Sequence, residues 1–600
     1  MIRFNHVTFT YPEAKAPTLR DVTAVIGPGE LGLVVGLTGS GKSTLLRLVN
    51  GLVPHFSGGL LAGSVQVGGL DTRHHGPRNL AGLVGYVGQD PAAGFVADVV
   101  EDELAYSMEQ HAIARSVMRA RVEEVIDLLG LEPLRHRPVN TLSAGQAQRV
   151  AMAAALTLHP KVLVLDEPTS ALDPATAEEV MAAISRLVHD LDMTVLMAEH
   201  RLERVVQFAD LSLHVSQNGV VTSGNMRAIM ATSDVAPPVV QLARRLAWPT
   251  IPLTVREARR LVTAGPVSPC HAPDNQEMPH SIPGRVSDNT HPGDPPRCTC
   301  HVSAGSSFAP ATSTRVAEPI TQQAPGDKKS LSPTDQRQQD AGLGPSIALH
   351  AEGLTVTYPG GVNGIDHVNL TLHAGKVTAV MGRNGSGKTS LLWALQGQGP
   401  PGALRASRTA RFKLPAVALV PAQPTDLFWA NTVAAEVGSG PAQLLLDDLA
   451  PGIDPASHPR DLSEGQRLEL ALAIQLAANA PVLALDEPTR GLDYQAKERL
   501  ATMLRRLATE GKAVLVASHD VEFLALVAKR VVWLADGQII ADGPATELLM
   551  AVPAHAPQMA KVFAPAAVLT VNQAIGLAGG LAANLVEDVV LDRATEEVLP

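Results

Sequence analysis

The chain has 600 residues, too many for one hydrophobic core, so several domains of ordinary size are expected. Hydrophobic residues make up 45% and aromatic residues 3%, a composition suited to α/β cores of Val, Leu, Ala and Ile, and the net charge of −11 argues against phosphate-backbone binding as the main activity. No apolar run reaches the roughly 18–20 residues that span a bilayer, and the start "MIRFNHVTFTYPEA" lacks the basic and apolar regions of a signal peptide. A cytoplasmic chain is therefore expected, unless something holds it at a membrane.

In chain order, the first informative element is the apolar run "LGLVVGL", which feeds the loop "GLTGSGKST" from Gly36 to Thr44 and then the helical pattern "STLLRLVNGL". Strand, glycine-rich loop, helix is the context a phosphate-binding loop needs. The spacing of Gly36, Gly41, Lys42 and Ser43 fits it. The loop's N–H groups and the helix N-terminus would hold phosphates, the lysine would neutralise outer oxygens, and the hydroxyl would enter a Mg²⁺ shell.

Next comes "LSAGQ", Leu142 to Gln146, opening a helix, so that Ser143, Gly145 and the positive helix end face an anion. Then "VLVLDEPTSALD", Val162 to Asp173, reads as a buried parallel strand ending in acids. Asp166 can reach Mg²⁺ there, and Glu167 is placed to orient or deprotonate an attacking water. "TVLMAEH" ends at His200, and the tail "PPVVQLARRLAWPTIPLTVREA" closes the unit.

From 265 to 346, Pro, Ser, Thr, Gly, Gln and His dominate and periodicity disappears, which predicts a disordered tether. All three cysteines, Cys270, Cys298 and Cys300, fall in it, with His271, His280, His291 and His301 nearby. They read as incidental residues, since C-x-C-H lacks a closed four-ligand spacing.

The motifs then recur in the same order. "VTYP" (Val356 to Pro359) answers "FTYP" (Phe9 to Pro12), "GRNGSGKTS" (Gly382 to Ser390) answers the first loop, and "LSEGQ" (Leu462 to Gln466) answers "LSAGQ". "VLALDEPTRGLD" (Val482 to Asp493) follows, then "AVLVASH" ending at His519, and a second copy of the tail. The chain is one α/β unit written twice: a domain at 1–235 with its tail at 236–264, the tether, then a domain at 347–552 with its tail at 553–600.

This constellation resembles two fused nucleotide-binding domains of the ATP-binding cassette (ABC) family, each a P-loop domain with a helical signature subdomain. The resemblance implies ATP and Mg²⁺ as ligands, and two ATPs sandwiched head to tail within one chain, each between one unit's P-loop and the other's signature turn. Nucleotide contacts are implied for Tyr11, Gly36, Gly39, Ser40, Gly41, Lys42, Ser43, Thr44, Gln89, Ser143, Gly145 and Gln146 in the first unit. In the second they are Tyr358, Gly382, Asn384, Gly385, Ser386, Gly387, Lys388, Thr389, Ser390, Ser463, Gly465 and Gln466. Tyr11 and Tyr358 would stack on adenine. Ser43, Gln89 and Asp166, with Thr389 and Asp486, would serve the metal. Glu167 and Glu487, with His200 and His519 as γ-phosphate switches, would carry the catalysis, and Asp173 and Asp493 would let the domains sense each other.

Two departures from the family pattern stand out. An ungapped comparison of "VPAQP" puts Ala422 where Gln89 stands in the first unit, with Gln423 one position late, so either the loop shifts or the coupling there is weaker. Ala144 and Glu464 replace the usual middle glycine of the signature, and Glu464 would face the first ATP and repel phosphate unless it turns outward. Two unequal but hydrolytic sites are expected.

Within the family, "NGLVPHFSGGLLAGSVQVGG", "VVEDELAYSMEQ", "DLSEGQRLELALAIQLA" and the repeated tails are most similar to the tandem ATPases of energy-coupling factor (ECF) importers. That likeness implies a peripheral protein on the cytoplasmic face of the plasma membrane. Its partners would be a transmembrane T-type coupling subunit and an S-type substrate-binding membrane subunit, its cargo a B vitamin, a vitamin precursor or a cobalt or nickel ion, and it would bind no nucleic acid. The rival reading is a soluble tandem ABC ATPase acting on ribosomes or DNA, against which the Pro-rich, near-neutral segment between the units counts. A nucleotide-gated scaffold would be favoured by loss of the catalytic glutamates, and both are present.

Overall fold

The computed structural model describes residues 1–263 and 346–577, apart from positions 13, 171, 360, 362, 398–404 and 408–415. The proposed tether with its Cys/His residues and the end of the second tail lie outside the described residues.

Each unit is built on a six-stranded sheet whose short central strands are fully buried. In the first, the order is Val221–Gly224, Leu211–Val215, Leu31–Val35, Thr194–Ala198, Val162–Asp166, Val84–Val87, parallel except at the first pair. The second repeats it in reverse listing: Val417–Val420, Val482–Asp486, Ala513–Ala517, Val377–Met381, Arg530–Ala535, Gln538–Pro544. Successive side chains of a strand face opposite sides, so these continuous apolar runs feed two cores. Leu163 and Leu165 pack with the helical side, while Val162 and Val164 pack with the antiparallel sheet that includes Ile2–Thr10 and Leu19–Ile26.

The topology explains why scattered motifs converge. In the first unit three adjacent parallel strands end side by side: Leu31–Val35 runs into the P-loop, Thr194–Ala198 into His200, and Val162–Asp166 into Glu167. Ligands of parallel α/β sheets sit at this carboxyl edge. The second unit aligns Val377–Met381, Ala513–Ala517 and Val482–Asp486 in the same way.

The helical subdomain of the first unit contains Val100–Gln110, Arg115–Leu129 and the signature helix Ala144–Leu156. Its counterpart is smaller, with Val433–Val437, Pro441–Leu449 and Glu464–Ala477 around a core of Val433, Leu446, Leu462 and Leu470. The second sequence runs fewer residues from P-loop to signature, and its smaller subdomain accounts for part of that difference.

The repeated tails join the halves. Helices Pro238–Arg245 and Val255–Thr263 of the first tail share one core with Gln558–Phe563 of the second, through Val240, Leu242, Ala258, Met559 and Val562. Burying Met559 or Val562 contributes about 2 kcal/mol each. Gln558 Oε1 accepts from the Val239 N–H (3.2 Å), and Arg245 Nη1 donates to Asn572 Oδ1 (2.7 Å).

Candidate active site

Both P-loops have the geometry that the glycine spacing predicts. Gly36 and Gly382 pass so close to the neighbouring strand that a Cβ would lie 2.3 Å from the Val215 or Leu534 carbonyl oxygen. Gly41 and Gly387 open the following helices at φ 105° and 101°, a left-handed conformation that favours glycine. The lysines turn back into the loops: Lys42 Nζ donates to the Gly36 and Leu37 carbonyls (3.0 and 2.9 Å), and Lys388 Nζ to those of Gly382 and Arg383 (2.9 and 3.1 Å). Tyr11 and Tyr358 stand beside the loop helices, their hydroxyls bonded to Thr44 Oγ1 (3.1 Å) and Ser390 Oγ (2.8 Å). The side chains expected to receive adenine are thereby tied to the phosphate loop.

At the carboxyl edge, the strand-end acids divide into two kinds. Burial and the adjacent Glu487 push the Asp486 carboxyl up to about 6, against the opposing hydrogen bond from Thr389 Oγ1 (2.7 Å). Burial and Glu167 likewise raise Asp166, against Ser43 beside it. Asp166 Oδ2 and Asp486 Oδ1 are buried without a hydrogen-bond partner. A hydroxyl next to a carboxylate whose oxygen lacks a donor fits a Mg²⁺ ion held by Ser43 and Asp166, or by Thr389 and Asp486. When bound, such an ion neutralises charge on phosphate oxygens.

The next residues behave oppositely. Burial would raise Glu487, but His519 and Lys388 outweigh it and hold it at about 2; Glu167 is also lowered, by His200 and Lys42 against burial. His200 Nε2 lies 3.1 Å from Glu167 Oε1, and His519 Nδ1 lies 2.9 Å from Glu487 Oε2. Both glutamates have left-handed backbones, φ 54° and 45°, held by N–H bonds to the Ala198 and Ala517 carbonyls. Non-glycine residues in this region carry backbone strain, which concentrates at functional sites. Two ionised carboxylates, each beside a histidine, suit the water-orienting role.

The sequence difference between Gln89 and Ala422 is also a difference in structure. Gln89 Nε2 donates to Glu167 Oε1 (3.4 Å). Gln423 is exposed at the start of the turn Pro424–Leu427, and Glu487 instead accepts from Ser518 Oγ (3.1 Å). The loop does not shift to return Gln423 to the site.

Ser143 and Ser463 both form capping boxes, with hydroxyls accepting from the Gln146 and Gln466 N–H groups (3.3 Å each). They therefore cap the signature helices while standing at helix ends suited to an anion.

Contacts between units complete the arrangement. Asp493 Oδ2 accepts from the Thr38 N–H of the first P-loop (2.7 Å), and Thr38 Oγ1 donates to the Gly491 carbonyl (3.4 Å). Reciprocally, Asp173 and Pro174 of the first unit line one cavity of ≈ 580 Å³ with Gly382, Ser386 and His519 of the second. Behind the sites, Asp520 takes Lys497 Nζ at 2.7 Å and faces Arg201 Nη2 of the other unit at 3.7 Å, all three side chains buried. Tyr494 accepts from the Leu202 N–H (3.1 Å) and bonds Glu203. Sequence reading missed Thr38, Tyr494, Arg201 and Asp520. The legible signal was the opposite charge directly after the two matching histidines, Arg201 after His200 and Asp520 after His519.

The sequence pattern of the family described as ABC transporter matches residues 19–170 and 365–490. A Streptomyces avermitilis protein whose name assigns it to the ATP-binding proteins of ABC transporters is 49% identical over 594 residues, covering 96% of this chain and 99% of that protein. One of the same name from Methanosarcina acetivorans is 29% identical over 576 residues, covering 92% and 85%. Among solved structures, archaeal ribosome recycling factor aABCE1, in complex with ribosomal stalk protein aP1, superposes with a TM-score of 0.52 at 18% identity, covering 91% of each chain. At that identity the likeness shows the fold.

Proposed function

The chain belongs to the ABC transporter family, as two tandem ATPase domains that bind ATP with Mg²⁺ and hydrolyse it, and from that premise we propose that it is the energy-coupling subunit of an ECF-type importer for a micronutrient. On this reading the chain sits at the cytoplasmic face of the membrane, paired with a transmembrane coupling subunit and a substrate-binding membrane subunit. The cargo is a B vitamin, a vitamin precursor, or a cobalt or nickel ion. No helix among the described residues is long and apolar enough to cross a membrane, and on this reading the path for the cargo belongs to the membrane partners.

The observation that carries the reading is a matched pair of outward-facing apolar side chains. Val96 is 62% exposed and Trp429 82% exposed, at corresponding places after Gln89 and Ala422. A carboxylate pins each loop from behind. Glu103 Oε2 accepts from the N–H groups of Val96 and Ala97 (2.8 Å each), and Glu436 from those of Trp429 and Ala430 (Oε2, 3.2 and 2.7 Å). Exposed apolar side chains on a loop whose backbone is held in place suit docking of an apolar partner element. In the first unit this loop continues into Gln89, which touches Glu167, so a docked helix would be linked to the hydrolysis site. ATP then shifts the halves between open and closed populations, and that shift moves the partner.

The test is a gentle-detergent pull-down of the tagged full-length chain from its native membranes. The expected result is a multi-span coupling protein together with a second membrane protein, with recovery reduced several-fold by Trp429→Ala while the isolated chain still turns over ATP. Recovery of ribosomes, or repeated absence of any membrane partner, would overturn the importer and favour a soluble tandem ATPase.

A further inference from the structure

The two signature turns differ at their middle residue, Ala144 in the first unit and Glu464 in the second. Glu464 does not turn outward. Its side chain lies over Gly491 of its own unit, where a Cβ would stand 2.7 Å from Glu464 Oε2, 2.9 Å from Cδ and 3.0 Å from Cγ. Gly491 has φ 68°, so this position needs glycine both for its backbone and for the carboxylate resting on it. The same short turn touches the opposite unit, since the Gly491 carbonyl accepts from Thr38 Oγ1 and Asp493 Oδ2 accepts from the Thr38 N–H. Residues 491–493 are thus layered between the Glu464 side chain and the first P-loop. The first unit's sequence carries Ala144 and Ala171 at the matching positions, so the carboxylate belongs to one composite site alone.

We propose that Glu464 is a positioning residue for the first composite site: packed on Gly491, it holds the Asp493 turn against Thr38 and thereby strengthens ATP binding at the first P-loop but not at the second. The concern that an added carboxylate would repel phosphate is met by its placement and neighbours. Burial and, to a lesser degree, Glu167 of the other unit push the Glu464 carboxyl up, while Arg467, Arg490 and His200 oppose that rise. The Arg490 charge also favours ionisation of Glu167, so it acts on both carboxylates. When the halves close, the signature helix and the Asp493 turn advance as parts of one unit. A side chain bridging them stops the turn from yielding as it meets the P-loop.

The experiment is ATP titration of the full-length chain in two backgrounds, Lys388→Ala to report the first P-loop and Lys42→Ala to report the second. In the first background, Glu464→Ala should weaken ATP binding about fivefold, in the range of coupling between contacting residues. Glu464→Gln, which keeps the shape, should recover most of that loss. Gly491→Ala should be worse than Glu464→Ala, and the double variant Glu464→Ala/Gly491→Ala clearly better than the product of the two losses, because the added methyl then enters the vacated space. In the Lys42→Ala background, Glu464→Ala should leave ATP binding within about twofold. Equal losses in both backgrounds, multiplicative losses in the double variant, or wild-type affinity in Glu464→Ala would each overturn the proposal. If Gly491→Ala fails to fold, the Ala and Gln variants of Glu464 in the two backgrounds still decide it.

Discussion

At the scale of single residues, adjacent acids with the same local sequence acquire different chemistry. Asp486 faces a hydroxyl and a like charge in a buried pocket and rises to about 6, whereas Glu487, one residue on, faces His519 and Lys388 and falls to about 2. The first is prepared to gain from a cation, and the second stays ionised without one. If Glu167 and Glu487 orient the attacking water, replacing both with Gln should lower steady-state ATP turnover by about 100-fold or more, with ATP still bound and the thermal midpoint little changed. Unchanged turnover in the double variant would remove them from the reaction.

At the scale of elements, Asp493 shows how one side chain can serve two structures. Its Oδ1 caps the helix Tyr494–Thr509 through the Ala496 N–H (2.8 Å), while its Oδ2 takes the Thr38 N–H of the other unit (2.7 Å). An amide offers one acceptor oxygen, so Asp493→Asn can keep one contact and must lose the other. Asp493→Ala loses both, with the cap alone worth about 1 kcal/mol. The expected order of thermal midpoints is wild type, then Asn, then Ala, and ATP-driven closure should be impaired in both variants. A midpoint for Asp493→Ala equal to wild type would show that the helix does not depend on this cap. The strands and helices carrying the motifs were legible because each is a contiguous pattern: "VLVLD" is a short, valine-rich apolar run of the kind that forms buried strands, and "SAGQ" and "SEGQ" cap helices by neighbours three residues apart.

At the scale of the whole molecule, the halves are joined by the interlocked tails and by a buried charge cluster. Asp520 is 2% exposed and is held far below the usual carboxylate range by Lys497 and Arg201, which overcome its burial. Removing it with Ala would leave two buried cations without their partner, at a cost of about 3–5 kcal/mol. Asp520→Ala should therefore lower the thermal midpoint and raise hydrogen exchange at Leu202 and in Tyr494–Thr509, whereas replacing Asp520, Lys497 and Arg201 together with apolar residues of similar volume should recover much of the loss. A silent Asp520→Ala would show that the cluster contributes little to the joint. Opposite charges at the positions after His200 and His519 also match each unit to its unlike neighbour.

The amino-acid sequence by itself determined the duplicated α/β units, the phosphate loops, the strand-end acids and the histidines that follow the neighbouring strands. Each of these depends on neighbours within one strand, turn or helix, so its chemistry can be read locally. Tertiary structure alone decided that Gln89 reaches Glu167 while Gln423 stays exposed, that Glu464 folds onto Gly491, and that Thr38 meets Asp493, 455 residues away. It also decided that the two tails share one core. The physical reason is that a side chain's direction and charge state depend on whichever atoms pack against it. At a joint between two domains, those atoms come from a distant part of the chain that no local pattern specifies.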